Sequence, residues 1–195
     1  MDASRCSGVS PSPVSAARSA KKSGEEGNPV RRLFEMNARD YDKTGKSQVR
    51  HSVRAILLRQ GRVAMLFSPK TGAYLFPGGE LREGEAPAQG MARALAAEAG
   101  LALRPGTLQD FGYVRCLGKN HQGDAEFFVH DHFYYFCQAL PVPGPEEGPE
   151  GEFVLEWVLP QEAVRANRAC AGESAAFDTA REATVLERLM LESYF

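Results

Sequence analysis

The segment that most constrains the fold is residues 76 to 101, FPGGELREGEAPAQGMARALAAEAGL, in which a glycine-rich stretch leads into a helix. Pro77 and the Gly78-Gly79 pair predict the end of a strand, because proline cannot donate to a ladder and glycine permits a turn at positive φ. Pro87 suits the first turn of a helix, the following alanines are strong helix formers, and Gly100 supplies a C-terminal stop. The sequence therefore predicts a strand, a turn and a helix in succession.

This segment resembles the Nudix box, whose pattern is Gly, five residues, Glu, seven residues, and then Arg-Glu-apolar-any-Glu-Glu-any-Gly-apolar. The positions that agree with the pattern are Gly79, Glu85, Arg93, Leu95, Glu98, Gly100 and Leu101. Two positions differ, because Ala94 and Ala97 stand where the pattern has glutamate. Matches at these fixed spacings, inside a strand-turn-helix context, are a specific signal.

The resemblance implies a site that binds Mg²⁺, or Mn²⁺, and uses it on a diphosphate. It implies that the metal ligands are the Glu85 and Glu98 carboxylates and the Gly78 carbonyl. It also implies that Glu98 and Arg93 are catalytic, with Arg93 orienting the acids. Acids at all three helix positions of the pattern would share one face, but only Glu98 is present. Two carboxylates suffice for one substrate-bridged ion and not for a cluster of ions.

The same resemblance places Gly78 and Gly79 against the phosphates of a substrate. Arg82 is a further candidate for phosphate binding, although a solvated loop charge also explains it. The residue after Arg93 often serves as general base in this family, and here it is Ala94. Acids elsewhere in the chain are candidates to replace it: Asp124, Glu126, Asp131, Glu152 and Glu156.

Two functions follow from these residues. The first is a Nudix-type, Mg²⁺-dependent pyrophosphohydrolase of reduced activity that cleaves a nucleoside diphosphate linked to another moiety. The second is a catalytically inactive Nudix-fold module that binds a nucleotide and acts in regulation. The missing glutamates favour the second function, and alanine at those positions preserves the helix while removing the ligands.

Hydrophobic patterns around the box predict an α+β fold. Val53 to Ser68 forms two apolar runs about Gln60-Gly61, which indicates a hairpin. The resemblance implies a Nudix-type α/β/α sandwich with a mixed sheet, over residues 50 to 195. Further strands are predicted at 74–76, 110–117, 126–140 and 153–159, with helices at 160–168 and 177–191.

Residues 1 to 32 contain seven Ser, six Lys or Arg and three Asp or Glu, a composition too polar to form a core. We expect a disordered or poorly ordered N-terminal tail there, with an organellar transit segment as the alternative. The turn-rich acidic stretch from Pro141 to Glu152 predicts a loop.

The net charge of −2 argues against nucleic acid as a partner and is compatible with a small anionic substrate. We predict no membrane association, because there is no transmembrane span in the sequence. The four cysteines are scattered, which favours a reducing cytoplasm over a disulfide framework. The oligomeric state stays open, with a homodimer as one alternative.

Three other features have both a functional and a structural explanation. His130 and His132 share a strand face and are candidate metal ligands together with His121, although histidines usually just pack or hydrogen-bond. Arg181-Glu182 resembles pairs in the same family, but an ordinary surface ion pair explains it equally well. Aromatic residues that suit either base stacking or the core are Phe111, Tyr113, Phe127, Tyr134 and Trp157.

Overall fold

The structure is a computed structural model that describes residues 30 to 121, 124 to 142, 153 to 170 and 173 to 195. Residues 1 to 29 lie outside the described part, so the predicted tail stays a prediction. Residues 143 to 152, which make up most of the predicted acidic loop, also lie outside it. Among the described residues, no helix combines the length and the apolar character needed to cross a bilayer.

The described strands and helices follow one another along the chain in the order expected for an α+β fold. They are β1 (Arg32–Asn37), β2 (Ser47–Ile56), β3 (Leu58–Arg59), β4 (Arg62–Ser68), β5 (Ala73–Leu75), β6 (Gly78–Glu80), α1 (Pro87–Ala99), β7 (Leu101–Leu103), β8 (Gln109–Lys119), β9 (Phe127–Phe136), β10 (Ala139–Pro141), β11 (Val154–Val158), α2 (Pro160–Ala169) and α3 (Glu173–Leu191).

The largest sheet is mixed, with strand order β1-β8-β9-β2-β6. β1 is parallel to β8 and β2 is parallel to β9, whereas β8 is antiparallel to β9 and β2 is antiparallel to β6. The mixed sheet confirms the predicted fold class. β1 was not predicted, and it begins at Arg32, the last residue of the predicted tail.

A second sheet is built around β4. β11 pairs with one edge of β4, and β3 and β5 pair with the other. Gln60 and Gly61 form the turn before β4 at φ 51° and 72°, which confirms the predicted turn. The first strand of the predicted hairpin is wrong. Residues Val53 to Ile56 belong to β2, which pairs within the mixed sheet, and only β3 (Leu58–Arg59) pairs with β4 across the turn.

Two hydrophobic clusters lie on opposite faces of the mixed sheet, since successive residues of a strand point to opposite sides. Tyr134 belongs to the first cluster and Tyr135 to the second. α3 supplies apolar residues such as Leu186 and Leu189 to the first cluster, and α1 supplies Met91 to the second. Helices therefore cover both faces of the sheet, which is the sandwich arrangement.

α1 matches its predicted limits, with Pro87 at its start and Gly100 at its end in the left-handed conformation (φ 62°, ψ 32°). Other limits need correction. Gly78 and Gly79 do not form the expected turn but pair with β2 as part of β6. The long strand predicted from 126 to 140 is two strands, β9 and β10.

We predict that Gly78→Ala lowers the free energy of unfolding by about 2 to 4 kcal/mol. Gly78 has φ 150°, and a Cβ atom there would overlap the carbonyl oxygen of Val53 on β2. Chemical denaturation of both proteins measures the loss. Gly84→Ala is the matched control, because Gly84 also has positive φ (71°) but its Cβ would meet nothing within 4 Å. Equal losses in the two variants would contradict the steric argument.

Candidate active site

The candidate site forms where β6 crosses the C-terminal half of α1. A Cβ atom on Gly79 would lie 3.2 Å from the Cβ of Ala94 and 3.7 Å from Oε1 of Glu98. Glycine at this position therefore lets the strand backbone approach the helix closely. Gly78, Gly79 and Glu98 are thus brought together, as the sequence pattern predicted.

Glu98 is exposed as a residue, but its carboxylate is partly desolvated against β6. Burial raises the pKa of Glu98, and three groups oppose the rise: the Arg54 guanidinium, a hydrogen bond from the Gly78 N–H, and Arg93. The carboxylate thus faces both the strand backbone and a nearby arginine. Arg54 carries no signal in the box pattern, so the sequence analysis missed it.

Glu85 is held by Arg93 in a bidentate ion pair. Arg93 Nε donates to Glu85 Oε1 (2.8 Å) and one terminal nitrogen donates to Oε2 (2.7 Å). Oε2 also accepts the Arg82 N–H, at 2.9 Å. Arg93 donates further to the Glu80 carbonyl (2.9 Å), so a single guanidinium joins the loop, β6 and α1. The Arg93 and Arg82 hydrogen bonds lower the pKa of Glu85 to about 2.

Arg54 lies on β2 directly opposite Gly78. One of its terminal nitrogens donates to the carbonyls of Phe76 (3.4 Å) and Gly78 (3.3 Å), which are long hydrogen bonds. The Gly78 carbonyl, predicted as a metal ligand, is therefore already in contact with a cationic side chain.

The two alanines in the box differ in environment. Ala94 is buried (2% exposed) against Gly79, whereas Ala97 is exposed. Neither side chain can bind a cation, so Glu98 is the one helix carboxylate of the box. The helix itself is intact, which agrees with the high helix propensity of alanine.

The donors for a divalent cation are all oxygen atoms, as Mg²⁺ prefers. They are few, because both oxygens of Glu85 are engaged by Arg93. Among the described residues, no group of three or more His, Cys, Asp or Glu side chains is arranged to hold a metal ion. Glu98 with the Gly78 carbonyl fits one ion that takes its other ligands from water and phosphate, and not two ions.

Two cavities share Arg50 of β2 in their walls, and the second also contains Glu85 of the box. The first, here called the sheet cavity, has a volume of about 660 Å³ and includes Arg50, His130, His132 and Arg181 in its wall. The second, the loop cavity, has a volume of about 470 Å³ and is lined by Glu80 to Glu85 together with residues 49 to 51 of β2. Arg50 lines both cavities, so β2 forms a common wall between them.

His130 and His132 lie on one face of β9, as predicted, and their rings stack with centroids 3.9 Å apart. His130 Nε2 is 2.6 Å from Ser52 Oγ, and His132 Nε2 is 3.1 Å from an Arg181 nitrogen. Burial lowers the pKa of His130 to about 4 and the pKa of His132 well below its ordinary value. Because arginine can only donate, His132 Nε2 is the acceptor, and both rings are neutral near pH 7.

Arg181 and Glu182 are buried, with 2% and 0% exposure, so their interpretation as a surface ion pair is wrong. Arg181 pairs with both Glu182 (2.6 Å) and Asp178, and it also donates to the Tyr134 hydroxyl (3.2 Å). Its charge is therefore compensated within the first hydrophobic cluster. This burial could not be predicted from the sequence, because two adjacent charged residues in a helix usually face solvent.

None of the described candidates for a general base lines either cavity. Asp131 makes a bidentate ion pair with Arg115, at 2.8 Å for both hydrogen bonds. Glu156 accepts the Tyr74 hydroxyl, at 3.0 Å. Asp124 and Glu126 are exposed, and Glu152 lies outside the described residues.

The five aromatic residues that are candidates for base stacking differ in their burial and contacts. Phe111 and Tyr134 are core residues, whereas Tyr113 contacts Phe133 with ring centroids 5.4 Å apart. The remaining two are half-buried: Phe127 stacks on Tyr41 and Trp157 lies under the Arg59 guanidinium. None of the five lines the sheet cavity, where Phe128 and Phe177 are the aromatic residues.

The NUDIX domain family model matches residues 49 to 177, which is more than half of the chain. The chain therefore belongs to the Nudix family. The matched region contains the box segment, with β6 and α1. It also contains the strand residues that line the two cavities. Comparison with curated protein sequences gave no match.

Solved structures with a similar fold include three Nudix or MutT proteins. A Nudix hydrolase from Nitrosomonas europaea is 15% identical, with a TM-score of 0.47 over 71% of this chain and 90% of its own. The MutT protein from Bacillus halodurans is 19% identical, with a TM-score of 0.45 over 60% and 72%. A MutT Nudix hydrolase from Burkholderia pseudomallei is 20% identical, with a TM-score of 0.42 over 58% and 85%. Family membership rests on the family model.

We predict that Glu85→Gln removes a stabilisation that depends on pH. The folded-state pKa of Glu85 is about 2, below its ordinary value of 4.5, so the stabilisation is present above pH 4.5 and is lost as pH falls through about 2. Urea midpoints of the two proteins should therefore differ at pH 6 and converge towards pH 2. Glu83→Gln, in the same loop, is the control. A difference that stays constant with pH would show that the ion pair with Arg93 does not stabilise the fold.

Proposed function

We propose that this chain is a Nudix-type hydrolase of low activity that cleaves a nucleoside diphosphate linked to another moiety. Water adds to one phosphorus, the bridging P–O bond breaks, and two phosphate monoesters are released. Family membership supports the reaction class, and the loss of box glutamates supports the low rate. The observation that carries the proposal is Glu98, an accessible carboxylate held against Gly78 and Gly79 at the position of a metal ligand.

Each box residue has a proposed role. Glu98 and the Gly78 carbonyl would hold one divalent cation, Mg²⁺ or Mn²⁺. When bound there, the cation would neutralise charge on the diphosphate oxygens as the bond breaks. Gly78 and Gly79 let the backbone approach the phosphates, and Arg82 is a phosphate contact at the rim of the loop cavity.

For Glu85 and Arg93 we propose a positioning role in place of direct coordination. The Arg93 guanidinium occupies both oxygens of Glu85 and also binds the Glu80 carbonyl. This arrangement fixes the loop against α1 and so sets the distance between β6 and Glu98. Arg93 also lies close enough to Glu98 to lower its pKa in part, so it favours the ionised acid.

The low rate follows from the absence of a general base next to Arg93. A positioned base contributes about 10²- to 10⁴-fold to a hydrolysis rate. Ala94 has no proton acceptor, and the described candidates elsewhere line neither cavity. We therefore propose slow turnover in which no carboxylate next to Arg93 activates the water.

Two observations favour a second function, a nucleotide-binding module that does not hydrolyse its ligand. Ala94 is packed against Gly79, and Arg54 occupies the Gly78 carbonyl that a cation would need. Both features would preserve the shape of a phosphate-binding site and lower its affinity for a metal ion. In this alternative, nucleotide binding without hydrolysis performs the regulatory function.

We propose a small nucleotide as the partner and the cytoplasm as the location. The three described cysteines, Cys116, Cys137 and Cys170, are free thiols, which suits a reducing compartment. Neither nucleic acid nor a membrane surface is a proposed partner, given the net charge of −2.

We predict that Glu98→Gln lowers turnover at least about 100-fold, because it removes the one helix carboxylate available to a cation. The purified protein is incubated with dNTPs, ADP-ribose, NADH and dinucleoside polyphosphates in Mg²⁺ or Mn²⁺, and phosphate and nucleotide products are measured. Glu162→Gln, an exposed acid on α2 that lines neither cavity, is the control. Ligand binding without product under either metal rejects the hydrolase and supports the binding module.

We predict that restoring Ala94→Glu and Ala97→Glu together raises turnover, because both carboxylates join Glu98 on one helix face. Ala97→Glu should leave stability nearly unchanged, since the position is exposed, whereas Ala94→Glu should destabilise by about 1 to 3 kcal/mol against Gly79. Product assays and denaturation midpoints test the two effects. No gain in turnover from a folded double variant would mean that the site is misplaced.

A further inference from the structure

Strand β2 presents a row of polar side chains between the sheet cavity and β6. Arg50, Ser52 and Arg54 alternate along the strand, so they project from the same face of the mixed sheet. In the pairing with β9, Arg50 lies opposite His130, Ser52 opposite His132, and Arg54 opposite Tyr134. The two arginines are four residues apart, or roughly 13 Å along an extended strand.

Both arginines have donors without a partner. Within the described part of the chain, the Nε–H groups of Arg50 and Arg54 are buried and donate to no hydrogen-bond acceptor. The remaining bonds are to neutral groups: Arg50 donates to the Gln48 amide oxygen at 3.1 Å, and Arg54 donates to two backbone carbonyls at 3.3 and 3.4 Å. Burying a cationic N–H donor without a hydrogen-bond partner costs free energy. A buried donor of this kind therefore usually has a function.

Other partly or fully buried arginines of this protein are paired with acids. Arg93 binds Glu85, Arg115 binds Asp131, and Arg181 binds Glu182. Among the described carboxylates, none lies within ion-pair distance of Arg50 or Arg54. These three arginine charges are therefore compensated by acids, whereas Arg50 and Arg54 have no acidic partner among the described residues.

Acidic side chains line both cavities, but among the described residues none forms an ion pair with Arg50 or Arg54. These acids are Asp40 and Asp178 in the sheet cavity and Glu80, Glu83 and Glu85 in the loop cavity. His130 and His132 are neutral near pH 7, and the Asp178 carboxylate is engaged by Arg181. Glu98 is near Arg54 but outside ion-pair distance. The row itself thus carries a positive charge, and Arg50 at one end of it lines a cavity large enough for a nucleotide-sized ligand.

The geometry points to direct binding of the ligand's diphosphate group by Arg54 and Arg50, so that binding does not require a divalent cation. Arginine suits this role because its planar fork can donate two parallel hydrogen bonds to a phosphate. Arg54 would take the phosphate nearest Gly78, and Arg50 would reach the other phosphate from the boundary of the two cavities. This inference rests on the proposed function only for the ligand class, and it holds for a hydrolase and for a binding module.

Calorimetry on the full chain tests the inference, with ADP-ribose and inorganic pyrophosphate as probes, in EDTA and in Mg²⁺. Wild-type protein should bind both probes in EDTA. Arg54→Gln and Arg50→Gln should each weaken binding in EDTA by about 10- to 100-fold, the usual effect of losing a hydrogen bond between charged groups. Arg54→Lys should recover part of the affinity, because it keeps the charge without the planar fork.

Arg62→Gln is the matched control, since Arg62 is an exposed strand arginine whose described hydrogen bond is to the Trp157 carbonyl. Thermal unfolding of each variant checks its folding, and if Arg54→Gln fails to fold, Arg50→Gln and the wild-type comparison of EDTA with Mg²⁺ decide. Wild-type binding that appears only with Mg²⁺ overturns the inference. Wild-type affinity in both folded glutamine variants overturns it as well.

The same experiment separates this inference from the proposed hydrolase. Binding in EDTA that depends on Arg50 and Arg54, without products in any metal, supports the arginine site and rejects the enzyme. Turnover that depends on Glu98, with binding that is lost in EDTA, supports the enzyme and rejects the arginine site.

Discussion

The ion pair between Glu85 and Arg93 connects the loop after β6 to the middle of α1, and the geometry of the candidate site depends on it. Its two hydrogen bonds of 2.7 and 2.8 Å are supported by the Arg82 N–H and by the Glu80 carbonyl. The pair is largely shielded on the carboxylate side, with Glu85 13% exposed. A fixed loop keeps β6 against α1, and that contact places Glu98 beside the glycine backbone.

The parts of the box that build its shape are retained, and the parts that bind metal are reduced. Gly79 still allows close approach of strand and helix, and Gly100 still ends the helix. Ala94 and Ala97 remove carboxylates without weakening the helix, because alanine has the highest helix propensity. The shape depends on the glycines and the helix, whereas the proposed metal binding depends on carboxylates, so one can be lost while the other persists. This separation is why a weak enzyme and a binding module share the same scaffold.

Charge is distributed unevenly around the mixed sheet. Arg181 lies in the first hydrophobic cluster, where Glu182 and Asp178 compensate it and the neutral His132 accepts one of its hydrogen bonds. A buried pair of this kind is stable only with such additional hydrogen bonds. Arg50 and Arg54 lie on the same side of the sheet but have no such partners among the described residues. β2 therefore carries two arginine charges that no described acid compensates, which is the basis of the proposed diphosphate contact.

Several features of the box segment and of the strands before it were predicted from the sequence alone. The limits of α1, the Gly100 stop and the Gln60-Gly61 turn were confirmed, because each depends on local propensity and spacing. The position of the β2 residue Arg54 beside the box was not predicted. Arg54 is distant from the box in sequence and joins it only because β2 pairs with β6.

Local chemistry in the sequence thus determined the Nudix-type strand-turn-helix, the α+β class and the missing glutamates, because propensities and fixed spacings act over a few residues. Tertiary structure alone decided that Gly78 and Gly79 belong to a strand, that Arg181 and Glu182 are buried, and that Arg54 faces Glu98. Those outcomes depend on which strands pair and which helix covers them. Pairing of this kind joins residues far apart in the chain, and no local pattern encodes it.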